Sequence, residues 1–310
     1  MTPKPRVAIF GPNPMLEITI EQLTSDGGDD IHLHPAGQGV WVARMAAELG
    51  ADPILCGFAG GESGAVLRGL LEELPIELRL IETAEATGTY IHDRREGGHK
   101  PVAQSASMPP SRHEVDDLFS VACAAAIDAD ALVVCNPYPS EALPLEIYGS
   151  LVADVRANGT PALVDLSSPR LDSALEGGPD LVKINDWELA AFVYGPVDTP
   201  ERMREAIDRL LEKGAAAAIV TRAGEPALAV RDGQAWELTP PRFDRGSREG
   251  CGDSMMGALA ASVAAGREWE QSLRLGAAAG AANFLRHGLG TGARAVVEEL
   301  AARVELRELG

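Results

Sequence analysis

SREGCGDSMMGALAASVAAG, residues 247–266, is a glycine-bracketed turn that runs into a helix of almost wholly small residues. Gly250 and Gly252 flank the single Cys251, so the backbone is free to take positive φ and to approach a ligand closely. From Ser254 on, Met, Ala, Leu and Val follow without strand alternation, which predicts a buried helix. Asp253 falls at or just inside the helix start, where the dipole favours a carboxylate. Two readings stay open on this stretch alone. In one, Asp253 or Ser254 caps the helix and the glycines only make the turn. In the other, the N–H groups of Gly250, Cys251, Gly252 and Asp253 hold an anion, with the Asp253 side chain beside it.

The neighbouring stretches decide the fold class. RVAIFG (6–11), PILCGFAGG (53–61), ALVVCNP (131–137), PALVDLSS (161–168), DLVKIN (180–185) and AAAIVTRAG (216–224) read as buried, apolar strands. Helical patterns such as VWVARMAAELG (40–50), LEIYGSLVADVRANG (145–159) and ERMREAIDRLLEKG (201–214) alternate with them. Continuously apolar strands separated by helices predict a three-layer α/β/α domain around a mostly parallel sheet. Ligands in such sheets bind beyond the carboxyl ends of the strands. LEITIEQL and DIHLHP, then IELRLIE and GTYIHDRREGGHKPVAQ, alternate polar and apolar residues instead. Segments of about 14–35 and 76–105 therefore predict a separate small β-sheet that acts as a lid, within a single domain over 1–310.

The chain has 310 residues, 45% hydrophobic and 24% charged, with a formal net charge of −19. Such an acidic balance argues against nucleic acid or an anionic membrane as partner, because phosphate backbones need a basic footprint. Any anionic ligand must then be drawn in by local cations, a metal ion or helix N-termini. Cys56, Cys123, Cys135 and Cys251 are scattered, which reads as reduced thiols in a cytoplasmic protein. The six histidines show no metal-ligand spacing, and His32 and His34 read as one exposed strand face. The start MTPKPRVAIFG has too short an apolar run for a secretory leader, and GAAAGAANFL is too short to span a bilayer.

Other motifs are each ambiguous alone. In LVKINDWEL (181–189), Asn185 at N-cap and Glu188 at N3 make a capping box; the same pair at a sheet edge suits a hydrated Mg2+ near phosphates. Gly37-Gln38-Gly39 leads into a helix, as a tight turn or as backbone close to a small polar ligand. Glu17 on the first lid strand is ordinarily a solvated residue. VVCNPYPSE (133–141) and VDLSSPRL (164–171) end strands in Asn136 and in Asp165 with Ser167, at the sheet edge.

Taken in order, NPMLEIT, AGQGVWVARMAAELG, CGFAGGESG, CNPYPS, VDLSS, VKINDWEL, IVTRAG, GCGDSMMGA and GAAAGAANFLRHGLGTG resemble the ribokinase-like carbohydrate kinases, the PfkB family. The resemblance covers nearly the whole chain and lies toward the branch with 1-phosphofructokinase and tagatose-6-phosphate kinase. It implies an ATP-dependent phosphotransferase acting on a hydroxymethyl group, with ATP and Mg2+. Asp253 then matches the general base, and Gly250, Cys251 and Gly252 with Asp253 match the anion hole. Asn185 and Glu188 match the motif that orders Mg2+ through water. Glu17, Gly37, Gln38, Gly39 and Trp41 match acceptor positions, while Lys183, Thr221, Gly224, Asn283 and Gly290 match the nucleotide side. The family also implies a homodimer through the lid strands.

The chain departs from the family at several of these positions. The family's Gly-Gly-Lys-Gly-x-Asn reads Ala36-Gly37-Gln38-Gly39-Val40-Trp41, so a phosphate-pairing charge and an acceptor-contacting Asn are gone. The family's Asp is Glu17. The nucleotide turn reads Thr221-Arg222-Ala223-Gly224-Glu225-Pro226, without its two expected glycines. Phosphoryl transfer with a changed acceptor is the expectation, Trp41 suiting a neutral ring such as an unphosphorylated sugar or a nucleoside. The competing expectations are a sugar-phosphate kinase, a catalytically reduced nucleotide- or metabolite-binding regulator, and thiol chemistry at Cys251.

Overall fold

In the computed structural model the described residues are 3–23, 27–96, 98, 100–107, 109–137, 143–286 and 289–309. Strand β1 (Arg6–Phe10) is followed by β2 (Met15–Gln22) and β3 (Asp29–Ala36), then α1 (Gln38–Glu48), β4 (Asp52–Gly60), α2 (Gly61–Glu72) and β5 (Glu77–Thr83). Next come β6 (Thr89–Asp93), β7 (Lys100–Ser105), α3 (Arg112–Ile127), β8 (Ala131–Cys135), α4 (Glu146–Ala157), β9 (Ala162–Asp165) and α5 (Arg170–Glu176). The chain continues through β10 (Leu181–Asn185), α6 (Asp186–Phe192), α7 (Pro200–Glu212), β11 (Ala217–Arg222), β12 (Glu225–Arg231) and β13 (Gln234–Thr239). It ends with α8 (Cys251–Ala264), α9 (Trp269–Phe284), α10 (Arg294–Ala301) and β14 (Glu305–Leu309).

The large sheet runs β14-β13-β12-β11-β10-β9-β8-β1-β4-β5. Strands from β11 to β5 along this order pair in parallel, and the last three at the other end pair antiparallel. Each parallel strand feeds both cores. Val7, Ile9, Leu55 and Val133 pack with α1, α2, α8, α9 and α10 on one face, whereas Ala8, Phe10, Ile54 and Val134 pack with α3 to α7 on the other. Burial on both faces is the reason these strands read as apolar without alternation. The expected three-layer α/β/α architecture with a mostly parallel sheet is present.

A second sheet has the order β3-β2-β6-β7. Its register puts Glu17 beside His34 and Tyr90, and Thr19 beside His92, on one face. Ile18, Ile20, Ile31, Leu33 and Ile91 occupy the opposite face. The polar face is the one turned inward: Glu17 is 5% and Thr19 0% exposed, against 59% for Ile31 and 42% for Leu33.

Two expectations need correction here. IELRLIE does not join the small sheet; it is β5, pairing in parallel with Ile54–Gly60 at the margin of the large one. An edge strand is covered less than a central one and carries charges such as Glu77 and Arg79, so its alternation imitates a lid strand. The terminal β14, not anticipated, pairs with Ala235–Thr239.

The parallel order reverses at β1, which lies between β4 and β8 although β8 follows β4 and β5 in the chain. The crevice beyond the carboxyl ends of β1 and β8 is therefore the topological switch point.

Candidate active site

Helix α8 begins at this crevice. Gly250 is its N-cap at φ 71, a left-handed conformation that costs an L-residue about 1–2 kcal/mol. No side chain caps the helix, so neither Asp253 nor Ser254 plays the capping role considered above. The Cys251 N–H is turned onto Arg248 O at 3.3 Å, so it does not belong to the open donors. Among the described residues no backbone carbonyl accepts from the Gly252 or Asp253 N–H. These are first-turn donors left for an anion.

Asn283 braces this turn. It is fully buried; its Nδ2 donates to Glu249 O at 2.7 Å and lies 3.6 Å from Cys251 Sγ, while its Oδ1 accepts from Thr291 N at 3.3 Å. Its carboxamide thus bonds within the chain, to the turn before α8 and to Thr291. Gly290, at φ 63, lies against the backbone of Trp41, where a Cβ would come within 2.5 Å of Trp41 Cα. Half-buried Trp41 sits one turn after Gln38 on α1, next to the junction of residues 289–290 with Gly250. The tail of CNPYPS beyond Pro137 and residues 287–288 of the GAAAGAANFLRHGLGTG stretch lie outside the described residues.

Successive parallel strands deliver the charged groups. Lys183 Nζ on β10 is 2.5 Å from Asp165 Oδ2 at the end of β9, and both are buried. Gly252 makes room for that ammonium, since a Cβ there would lie 2.8 Å from Lys183 Nζ. Asn185 and Glu188 do form the capping box: Asn185 N–H donates to Glu188 Oε2 at 3.2 Å and Glu188 N–H to Asn185 Oδ1 at 2.9 Å. Thr221 is the register partner of Asn185, so both stand at the same sheet edge. Gly224 lies in the exposed β11–β12 turn, preceded by Ala223 at φ 44, and a Cβ on it would face Arg248 Nη2 at 3.7 Å.

On the other side, Gly37 is the N-cap of α1 and Gly39 packs on Gly11. Gln38, the first residue of α1, accepts from Asn136 N–H at 2.7 Å, and its side chain lowers the Asp253 carboxyl. Glu17 is not solvated as a lone strand Glu would be; its Oε1 is 3.0 Å from His92 Nδ1.

Burial pushes the Asp253 carboxyl up to about 7; Lys183 opposes the rise, Asp165 and Glu188 add to it, and the polar side chain of Gln38 restrains it. Glu188 is raised by burial and by Asp165. Burial pulls the Lys183 ammonium down, but Asp165 and Asp253 outweigh it and the net shift is upward. Burial also raises the Cys251 thiol, which argues against the activated-thiolate reading. Tyr90 is raised by burial, Glu17, Glu249 and Asp253, so the inward face of the small sheet bears on the same crevice. Tyr90 and His92 had no assigned role in the sequence; the alternation of TYIHD, placing them on one strand face, is the signal that pointed to them.

An anion-ready helix start, a carboxyl poised near neutrality and a buried lysine at the switch point of a parallel sheet agree with the family comparison. The pfkB family carbohydrate kinase profile matches residues 16–295. The chain belongs to the pfkB family of carbohydrate kinases.

Among curated relatives of this pfkB kinase, the ATP-dependent 6-phosphofructokinase isozyme 2 of Escherichia coli K12 is 29% identical over 257 residues, 82% of each chain. The 1-phosphofructokinase of Vibrio cholerae is 25% identical, covering 96% of this chain and 95% of that one. The crystal structure of Escherichia coli phosphofructokinase-2 with potassium superposes with a TM-score of 0.83 at 25% identity, covering 97% and 98%. Among the described residues of this pfkB kinase, no helix is long and apolar enough to cross a membrane.

Proposed function

We propose that this pfkB kinase transfers the γ-phosphoryl group of ATP to a primary hydroxyl of a sugar, with Asp253 as general base. One observation carries the proposal: the open Gly252 and Asp253 amides and the Asp253 carboxylate share one helix turn at the switch point. The Asp253 carboxylate takes the proton of the acceptor hydroxyl, that oxygen bonds to the γ-phosphorus, and the bond from phosphorus to the β-phosphate oxygen breaks. The products are a sugar phosphate ester and ADP. Such a base contributes about 10²–10⁴-fold. The two amides face the charge that builds on the transferring group.

The donor set fits Mg2+. Lys183 is paired with Asp165, and burial together with Asp165 raises both Asp253 and Glu188 although Lys183 opposes each rise, so the crevice has carboxylate charge that a cation would offset. Among the described residues no three His, Cys, Asp or Glu gather to grip a metal directly. Asn185 and Glu188 would therefore hold the ion through water. When bound, Mg2+ supplies charge neutralisation for the phosphates.

The fructose phosphates are the first acceptors to test, since the relatives carry phosphofructokinase names. A second reading, a neutral sugar or nucleoside, is favoured by Gln38, a neutral carboxamide whose Oε1 is taken by the Asn136 N–H, where the family has a lysine. ADP release is measured for fructose 6-phosphate, fructose 1-phosphate, fructose and a nucleoside panel, in wild type and Asp253→Asn. Acceptor-dependent release that is lost in Asp253→Asn supports kinase chemistry. Release with no acceptor dependence points to the regulatory alternative. Better turnover of either fructose phosphate than of any neutral acceptor rejects the second reading.

A further inference from the structure

Glu17 and His92 meet across two strands of the small sheet. β2 pairs in parallel with β6, and the register sets Glu17 against Tyr90 and Thr19 against His92, all on the inward face. His92 Nδ1 lies 3.0 Å from Glu17 Oε1, with the two side chains 20% and 7% exposed. An ionised carboxylate only accepts, so the proton in this contact sits on Nδ1. The Tyr90 ring packs on the imidazole, the centroids 4.9 Å apart and the planes at 50°, and steadies it. Among the described residues this is the one hydrogen bond of the Glu17 side chain, and it engages Oε1, which leaves Oε2 as an acceptor.

The pair stands beside the start of α1. Met15 pairs with Ala36, the residue before the Gly37 N-cap, and Glu17 is two residues further along β2. Gly37 packs on Asn13 and Pro14, and Gly39 on Gly11, just past β1. The backbone thus ties Glu17 to the crevice, while the direction of its carboxylate is set by a bond from another strand.

We propose that His92 is a positioning residue that fixes the Glu17 carboxylate, with Oε1 held by Nδ1–H and Oε2 presented to a hydroxyl of the acceptor. This rests on the kinase reading, with Glu17 on the acceptor side. Glu17 has one more rotatable bond than the family's Asp, and ordering a side chain costs conformational freedom. The His92 bond orders the carboxylate before the acceptor arrives, so binding does not bear that cost.

The first measurement needs no acceptor. Long-range 1H–15N spectra of histidine-labelled protein, taken in mildly alkaline buffer where an imidazole carries one proton, report which ring nitrogen holds it. The His92 signal is assigned by its loss in His92→Asn. Nδ1–H is expected in the wild type, with population moving to Nε2–H in Glu17→Gln. A wild-type ring with its proton on Nε2 overturns the proposal.

The second measurement is steady-state kinetics with the fructose panel. His92→Leu is expected to raise the acceptor KM about tenfold, with kcat and the KM for ATP unchanged. His92→Asn places an amide N–H where Nδ1 stands and is expected to recover most of the loss. His92→Gln reaches the Nε2 position instead and is expected to recover little. The contrast between these two polar variants also serves if the leucine variant does not fold. Asn and Gln variants that behave alike, or an acceptor KM that stays put, overturn the proposal. Absence of wild-type turnover with every acceptor counts against the kinase reading instead, while the tautomer still decides the Glu17–His92 bond.

Discussion

Lys183 places its ammonium 2.5 Å from the Asp165 carboxylate, with the two side chains 7% and 4% exposed. A buried pair of this kind costs little while both members are present and much when one is removed. Lys183→Met is expected to destabilise by about 3–5 kcal/mol in denaturant unfolding. It is also expected to move the acid limb of activity further up, because Lys183 is the cation that holds the Asp253 carboxyl down. An unchanged acid limb in a folded Lys183→Met protein would show that the ammonium does not act on Asp253.

The proposed base, Asp253, carries the pH prediction. Its carboxyl is pushed up to about 7, first by burial, and in the proposed reaction the ionised form takes the proton. kcat/KM is therefore expected to rise with pH along an acid limb centred near that value. The stability sign is opposite. A carboxyl raised on folding favours the protonated native state, so its contribution to stability falls as pH rises from the usual carboxylate range through about 7. Asp253→Asn is expected to lose about 10²–10⁴-fold in kcat. In mildly alkaline buffer it is expected to gain about 1–2 kcal/mol in stability, with a smaller gain in mildly acidic buffer. Thermal unfolding at the two pH values checks both signs.

Asn283 supports the anion turn without facing solvent. Asn283→Ala removes its bonds to the Glu249 carbonyl and the Thr291 amide, at a cost of about 1–3 kcal/mol. The turn then loses its brace, so a rise in the KM for ATP and a fall in kcat are expected together, read by steady-state kinetics. A destabilised protein with unchanged kinetics would reduce Asn283 to a packing residue.

The legible parts of this molecule are those in which the responsible residues are neighbours in sequence. The apolar strands report burial on both faces, and Gly250 to Asp253 carry turn, open donors and carboxylate within four positions. Asn185 and Glu188 form their capping box for the same reason. The inward polar face of the small sheet was not legible, because Glu17 is buried through a partner, His92, 75 residues away. The Gln38–Asn136 bond spans 98 residues between two motifs that each look like an ordinary turn. β5 was misplaced because the alternation of an edge strand is indistinguishable from that of a two-sided sheet. The bracing of the Gly250 turn by Asn283 was not legible either, because resemblance names a position but not the bonds of its carboxamide.

The small sheet turns its polar face to the crevice and its isoleucines outward, which in isolation is an unfavourable arrangement. Ile31 and Leu33 are more than a third exposed, with Ile18, Ile20 and Ile91 beside them on the same face. Covering this face with the same face of a second copy buries apolar surface and shields the sheet edges at once. A homodimer is the expected state in solution, measured by light scattering coupled to size exclusion at micromolar concentration. The double variant Ile31→Lys with Leu33→Lys is expected to be a monomer, since the added charges face each other across the two-fold contact. The large sheet does not depend on this face, so unfolding of the variant is expected to stay cooperative. A wild-type protein that elutes as a monomer, or a double variant that stays dimeric, would show that something other than this face governs assembly.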